Sequence, residues 1–226
     1  MFERFRERSH ELERIDTGDY SPAEYALWER EMGWIHGVLG EKRALDKTLL
    51  AEANALAHPI SVLDVGCGTG GVLAHIRKKL CDRAGLAAGV EMDVNGAIAM
   101  IRSGLPAVLG DGLQLPFADQ SFDYVYCTLV LHHLEDVAAV RLLREMNRVA
   151  RFSIFAVDLN RDPLAYYTYR LLGKLLLQPL TLHDGSLSIL KSRTRDELKE
   201  LAAAAGLSNV KVVASRVNRL VLSAGG

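Results

Sequence analysis

Only three cysteines, Cys67, Cys81 and Cys127, occur in the 226 residues, and no two stand at a metal-ligand spacing. That argues against a disulfide framework or a cysteine-built metal centre, and it fits a reducing compartment. Charge of one sign is lacking too: 27 Lys and Arg against 28 Asp and Glu leave a net charge of -1. A broad basic face for nucleic acid is therefore not expected. There is no internal repeat and no low-complexity tract, and the charged first residues lack the apolar run of a secretory signal. The leucine-rich stretch between residues 162 and 188 is too short and too charged to span a bilayer. The remaining composition, 49% hydrophobic and 24% charged, is that of a soluble globular chain long enough to bury a core.

One stretch organises the rest. Val62-Leu63-Asp64-Val65 reads as a buried strand, Gly66-Cys67-Gly68-Thr69-Gly70-Gly71 as a sharp turn, and Val72, Leu73, Ile76 and Leu80 as the apolar face of a helix. Strand, glycine turn and helix form the first unit of a nucleotide-binding α/β domain. Gly66, Gly68 and Gly71 satisfy the dinucleotide fingerprint GxGxxG, which alone is a weak signal. Asp64 separates the possible ligands. A pyrophosphate at the helix N-terminus would be repelled by a carboxylate there. S-adenosylmethionine brings a sulfonium, an ammonium and a ribose, all of which tolerate or favour an acid.

Leu63-Asp64-Val65-Gly66-Cys67-Gly68-Thr69-Gly70 resembles the first motif of the class I S-adenosylmethionine-dependent methyltransferases. The resemblance implies that Gly66, Cys67, Gly68 and Gly70 pack against the methionyl part of the cofactor and that Asp64 holds its amino acid end. It continues along the chain. Ala87 to Glu91 reads as a second strand ending in an acid, roughly 25 residues beyond Gly66, and a ribose-binding acid is expected about 20 on. Glu91 is the candidate ribose acceptor, where the family usually has Asp; Asp93 is its rival, and Met92 would lie beside the adenine. Gly110-Asp111-Gly112-Leu113-Gln114-Leu115-Pro116-Phe117 resembles the family's third motif. There Asp111 would accept from the adenine amino group, and the N–H of Gly112 or Leu113 would donate to a ring nitrogen. Ser121-Phe122-Asp123 leads into a fourth strand, with Phe122 read as a core residue and Asp123 as a turn cap. Thr128 and Val130-Leu131-His132-His133-Leu134 follow at its carboxyl end, where open α/β sheets bind ligands. The implied fold is a Rossmann-like α/β domain with a seven-stranded, mostly parallel sheet in the order 3-2-1-4-5-7-6.

Residues 1–58 precede these motifs and read as an N-terminal helical cap on a cofactor-binding domain of 59–226. Ser21-Pro22-Ala23-Glu24 is a helix start, and the helix is expected to run to Ala57. Tyr20, Trp28, Trp34 and His36 suit an aromatic or lipid-like substrate, or simply pack the helices. An insertion at about 162–190 follows strand five. Its apolar residues, Leu164, Tyr167, Leu171, Leu175 and Leu176, suit a lid, an interfacial anchor or a dimer face; the lid is preferred because strand five ends beside the site. Leu182-His183-Asp184-Gly185 reads as a turn or as a base pair of residues.

The expected activity is methyl transfer to a small, apolar or aromatic acceptor, directed to oxygen. The acceptor must be held in line, about 3 to 3.5 Å from the methyl group, with water excluded. The proton is expected to go to His133, with His132, His183 and Asp158 as further candidates. No metal is expected, nor nucleic acid; a peripheral membrane contact and a cytoplasmic location are compatible with the chain, and the oligomeric state is left open. The apolar insertion and the Leu-His-Asp-Gly element resemble those of bacterial members acting in secondary or lipid-like metabolism. Two other readings stand beside this one: a dinucleotide-dependent oxidoreductase, disfavoured by Asp64, and a non-catalytic scaffold that kept the fold.

Overall fold

The computed structural model describes residues 3–38 and 40–225, with the side chains of 36–38 excepted, so the expectation for His36 lies outside the described residues. Seven strands form one sheet in the order β3-β2-β1-β4-β5-β7-β6, as expected. They are β1 (Ile60–Val65), β2 (Ala84–Glu91), β3 (Ala107–Leu109), β4 (Phe122–Thr128), β5 (Ala150–Leu159), β6 (Lys211–Ser215) and β7 (Arg219–Gly225). β1 to β5 run parallel, and β7 is antiparallel to both β5 and β6. Strand alternation explains the two apolar layers. Leu63 and Val65 of β1 face the layer filled by Leu142, Leu143 and Met146; Ile60 and Val62 face the one filled by Leu45, Leu73 and Met100.

The helices are α1 (Arg14–Thr17), α2 (Pro22–Val38), α3 (Glu41–Lys47), α4 (Leu49–Ala53), α5 (Gly71–Leu80), α6 (Val94–Arg102), α7 (Asp136–Val149), α8 (Pro163–Leu176), α9 (Pro179–Lys191) and α10 (Arg195–Ala204). The single helix expected from Ser21 to Ala57 is instead three. Gly40, at φ +100°, turns the chain between α2 and α3. Thr48 breaks it again: its hydroxyl bonds back to the carbonyl of Ala44 at 2.8 Å, and its backbone is non-helical. Leu45 and Leu49 then reach the core. α3 is tied to β7 by a buried pair, Arg219 Nε donating to Glu41 Oε1 at 2.7 Å.

Two expected helix starts form as read. Ser21 and Glu24 exchange hydrogen bonds at the start of α2, and Thr194 with Glu197 makes the capping box of α10. Leu182–Gly185, expected as a turn, is helical and lies inside α9. Asp123 does more than cap a turn. It is buried, accepts from Ser61 N at 2.8 Å and pairs with Arg151, joining β1, β4 and β5.

The chain before α1 lies along α8 and α9. Arg161 is buried and donates to the carbonyl of Phe5 at 3.1 Å and to that of Ser192 at 2.8 Å. Arg8 donates to the carbonyls of Lys191, His132 and Leu134. Asp184 caps α1 by accepting from Arg14 N and Ile15 N, each at 3.0 Å. Residues 3–18 are thereby bound to the turn that follows β4.

Candidate active site

The candidate site has two parts at the carboxyl end of β4. The first is the surface around the glycine loop. Gly66, Gly68 and Gly70 have φ of +73°, +51° and +79°, a backbone that residues with a Cβ adopt only under strain. A Cβ on Gly66 would strike Val130 at 2.7 Å, and one on Gly70 would strike Met100 at 2.9 Å. A Cβ on Gly68 would meet nothing within 4 Å, so that face of the loop is open. The Cys67 side chain turns away from this surface into the core, with Sγ 3.1 Å from Met100 Sδ, so only its backbone belongs to the loop.

Asp64 stands beneath this loop and is buried. Its Oδ2 accepts from the Tyr126 hydroxyl at 2.9 Å, while its Oδ1 has no partner. Burial pushes the carboxyl up to about 7, against the Tyr126 hydrogen bond and with help from Glu91. A buried acceptor without a donor is costly unless a ligand supplies one, and an ammonium group fits that need.

Glu91 ends β2. Its Oε2 accepts from Gly68 N at 2.7 Å, and its Oε1 from Met92 N and Asp93 N at 2.9 Å. Asp93 is committed elsewhere as the N-cap of α6, accepting from Gly96 N at 2.8 Å. Met92 is exposed. Asp111 lies past β3 and accepts from Leu113 N at 2.8 Å, which leaves the N–H of Gly112 rather than that of Leu113 for a ligand. Thr128 ends β4.

The second part is a chamber of about 770 Å³, within the range for small-molecule sites. Its walls are largely apolar and come from α2, α8 and α9, including Trp28, Trp34, Leu172 and Ile189. Tyr20 stacks on Tyr25, which stacks on Trp28, so the expected aromatic cluster reaches the wall only in part. Leu129 lines the chamber and its neighbour Val130 packs on Gly66, so this short segment links the chamber to the glycine loop.

The chamber has a polar floor. His132 and Asp158 are both buried, with Nδ1 2.7 Å from Asp158 Oδ1, and Asp158 Oδ2 accepts from His132 N at 3.0 Å. Burial would raise Asp158, but the charge and hydrogen bonds of His132 hold it below the usual carboxylate range. An ionised Asp158 takes the Nδ1 proton and leaves Nε2 as the basic nitrogen. Asp158, one of the candidate proton acceptors, thus meets His132 rather than lining the chamber itself.

His133 also lines the chamber, its ring 4.1 Å from that of His132 between centroids. Burial, His132 and Lys191 together hold it down to about 3. It is neutral at physiological pH and a weak base. His183 is not brought to this floor. It projects from α9 into a separate groove with Arg4 and Glu11, and its Nδ1 lies 2.8 Å from the Asp184 that caps α1.

Glu13 and Lys191 complete the floor, and sequence reading did not find Glu13. Lys191 Nζ lies 3.2 Å from Glu13 Oε1. Glu13, His132 and His133 offer three metal-ligand atoms within 4.8 Å of one another. The Lys191 ammonium already stands there as the cation, and like charge opposes a second.

A family model described as a methyltransferase domain matches residues 63–153. The demethylmenaquinone methyltransferase of Roseiflexus sp. (strain RS-1) is 34% identical over 190 residues, covering 74% of this chain and 76% of that protein. The chain belongs to the class I S-adenosylmethionine-dependent methyltransferases. Solved structures agree on the fold of this methyltransferase. One from Aquifex aeolicus superposes with a TM-score of 0.59 at 17% identity, covering 82% of this chain and 89% of that one. The magnesium protoporphyrin IX methyltransferase of Synechocystis PCC 6803 with bound S-adenosylhomocysteine superposes at 0.55 with 16% identity, covering 82% and 83%. The methyltransferase uses S-adenosylmethionine, and the dinucleotide and scaffold alternatives fall away.

Proposed function

We propose that this methyltransferase acts on a small, apolar, ring-hydroxylated acceptor held in the chamber, with His132 as its proton acceptor. The observation that carries the reading is His132, backed by the buried carboxylate of Asp158, in the floor of a chamber whose walls are largely apolar. On the cofactor side, Asp64 Oδ1 would receive the ammonium group and Glu91 the ribose hydroxyls. Gly66, Gly68 and Gly70 bring the backbone close, Thr128 stands at the strand end, and Met92, Asp111 and the N–H of Gly112 frame the adenine. The sulfonium, when bound, supplies an electrophilic methyl group. The helices of residues 1–58 and 162–190 form the cap and lid that exclude water from the acceptor.

The protein's part is positioning and one proton. The acceptor hydroxyl gives its proton to His132 Nε2, and Asp158 stabilises the imidazolium that results. That would leave the oxygen as the nucleophile for the methyl group of the bound cofactor, with S-adenosylhomocysteine as the leaving group. The role first assigned to His133 passes to its neighbour. Neutral and weakly basic, His133 packs against the His132 ring and orients it. A second reading, in which the ionised hydroxyl directs the methyl group to a conjugated ring carbon, is favoured by the printed name of the Roseiflexus relative, a demethylmenaquinone methyltransferase.

A dihydroxynaphthalene is a suitable test acceptor. His132→Ala and Asp158→Asn are expected to lower kcat by about 10²-fold or more while S-adenosylhomocysteine affinity stays within about twofold. His133→Ala is expected to fall far less. Product analysis by NMR separates methyl ether from ring-methylated product. Full turnover in His132→Ala across pH 6 to 9 would leave proximity alone as the mechanism.

A further inference from the structure

α8 carries two basic residues, Arg170 and Lys174, and no acidic one. Its inner side is committed, since Tyr166 and Gly173 are buried against the N-terminal segment and α9. The opposite side is bare. Leu164, Leu171 and Leu175, spaced by seven and four residues, form one line and are 76%, 68% and 82% exposed. Leu164, at the start of this ridge, and one flank of it, Leu172 and Leu176, line the chamber. On the other flank stand the cations. Arg170 lies over the Tyr166 ring with Arg4, their guanidinium carbons 5.6 and 5.2 Å from its centroid, and Lys174 is exposed one turn on. The ridge therefore has the mouth of the acceptor chamber on one side and a row of positive charge on the other.

An occupant must satisfy both sides. A second copy of the chain, related by a twofold axis, would bring Arg170 and Lys174 towards their own equivalents, and α8 has no acid to answer them. An anionic lipid surface answers both: acyl chains take the leucines and headgroup phosphates take the cations. The helix has 14 residues, about 21 Å, enough to lie in the interface and too little to cross it. Among the described residues no helix is long and apolar enough to cross a membrane.

We propose that α8 docks this protein on anionic phospholipid membranes, with its leucine ridge in the acyl layer, so that a lipid-dissolved acceptor enters the chamber sideways from the bilayer. The docking stands on the surface of α8; the route of entry rests on the reading of an apolar acceptor given above.

Co-sedimentation with vesicles of phosphatidylcholine and phosphatidylglycerol in equal parts tests the docking without an acceptor. The wild-type protein is expected to bind these vesicles at least about tenfold more tightly than vesicles of phosphatidylcholine alone. The pair of exposed substitutions Leu171→Glu and Leu175→Glu is expected to lower binding by about tenfold or more. Lys174→Glu is expected to weaken it in the anionic vesicles only. Calorimetry with S-adenosylhomocysteine and turnover of soluble dihydroxynaphthalene run in parallel, and the leucine pair is expected to leave S-adenosylhomocysteine binding unchanged. The docking is overturned by wild-type protein that ignores anionic vesicles, by binding that survives the leucine pair, or by a wild-type dimer that the same pair dissociates. Vesicle binding without dihydroxynaphthalene turnover would sink the acceptor reading and leave the docking standing.

Discussion

Asp64 shows how much one carboxylate can report. Its folded value near 7 lies above the ordinary carboxylate range near 3.9. The folded chain therefore keeps a proton that the unfolded chain releases between those values. That contribution to stability is present in full below about pH 4 and is lost as the pH rises through about 7. Binding an ammonium beside Oδ1 favours the ionised form, so S-adenosylhomocysteine should expel this proton below pH 7 and lose affinity by up to about tenfold per pH unit there. Calorimetry at pH 6 in two buffers of different ionisation enthalpy measures the proton, and Asp64→Asn should abolish both the release and the pH slope. Zero release from the wild type would mean that Asp64 does not meet the ammonium group. The candidate cofactor residues could be named from the sequence because they fall within short motifs at strand ends. Glu13 was not: 119 residues separate it from His132, and nothing local marks a glutamate that folding carries to a chamber floor.

Elements were legible where the local signal and the tertiary demand agree. The helix starts at Ser21 and Thr194 carry their own partners three residues on. The break at Thr48 could not be read, because it depends on where Leu45 and Leu49 must point to reach the core. Gly89, inside β2, lies between these cases. A glycine within a strand signals close approach by another backbone or side chain. Here the neighbour is Cys67, whose Sγ and Cβ would lie 2.4 and 2.8 Å from an added Cβ, with Met100 at 2.7 Å. Cys67 is short and held by the turn, so it has little room to yield. Gly89→Ala should cost about 1 to 3 kcal/mol in denaturant unfolding and displace the glycine loop enough to weaken S-adenosylhomocysteine binding. Unchanged stability and affinity would mean that the loop gives way freely.

At the scale of the molecule, the sheet order followed from a familiar succession of motifs, whereas the chamber belongs to segments without motifs. Its floor joins residue 13 to residues 132, 158 and 191, and its walls join α2 to α8 and α9. Asp184 carries much of that closure, because both its oxygens hold backbone N–H groups of α1. Asp184→Ala should therefore leave the sheet and the glycine loop intact, speed limited proteolysis within residues 10–20, and raise KM for the acceptor more than for the cofactor. Equal loss of both would mean that α1 supports the whole fold rather than the chamber.

The pairing of Glu13 with Lys191 also sets an order of assembly. During synthesis the glycine loop and β2 can meet as soon as about 90 residues have emerged, whereas Glu13 has no ammonium beside it until α9 has been made. The strands that carry Asp64 and Glu91 are thus made long before the chamber floor can close. The floor forms once these two distant stretches of chain have met, and β7, made later still, then joins β5 and α3.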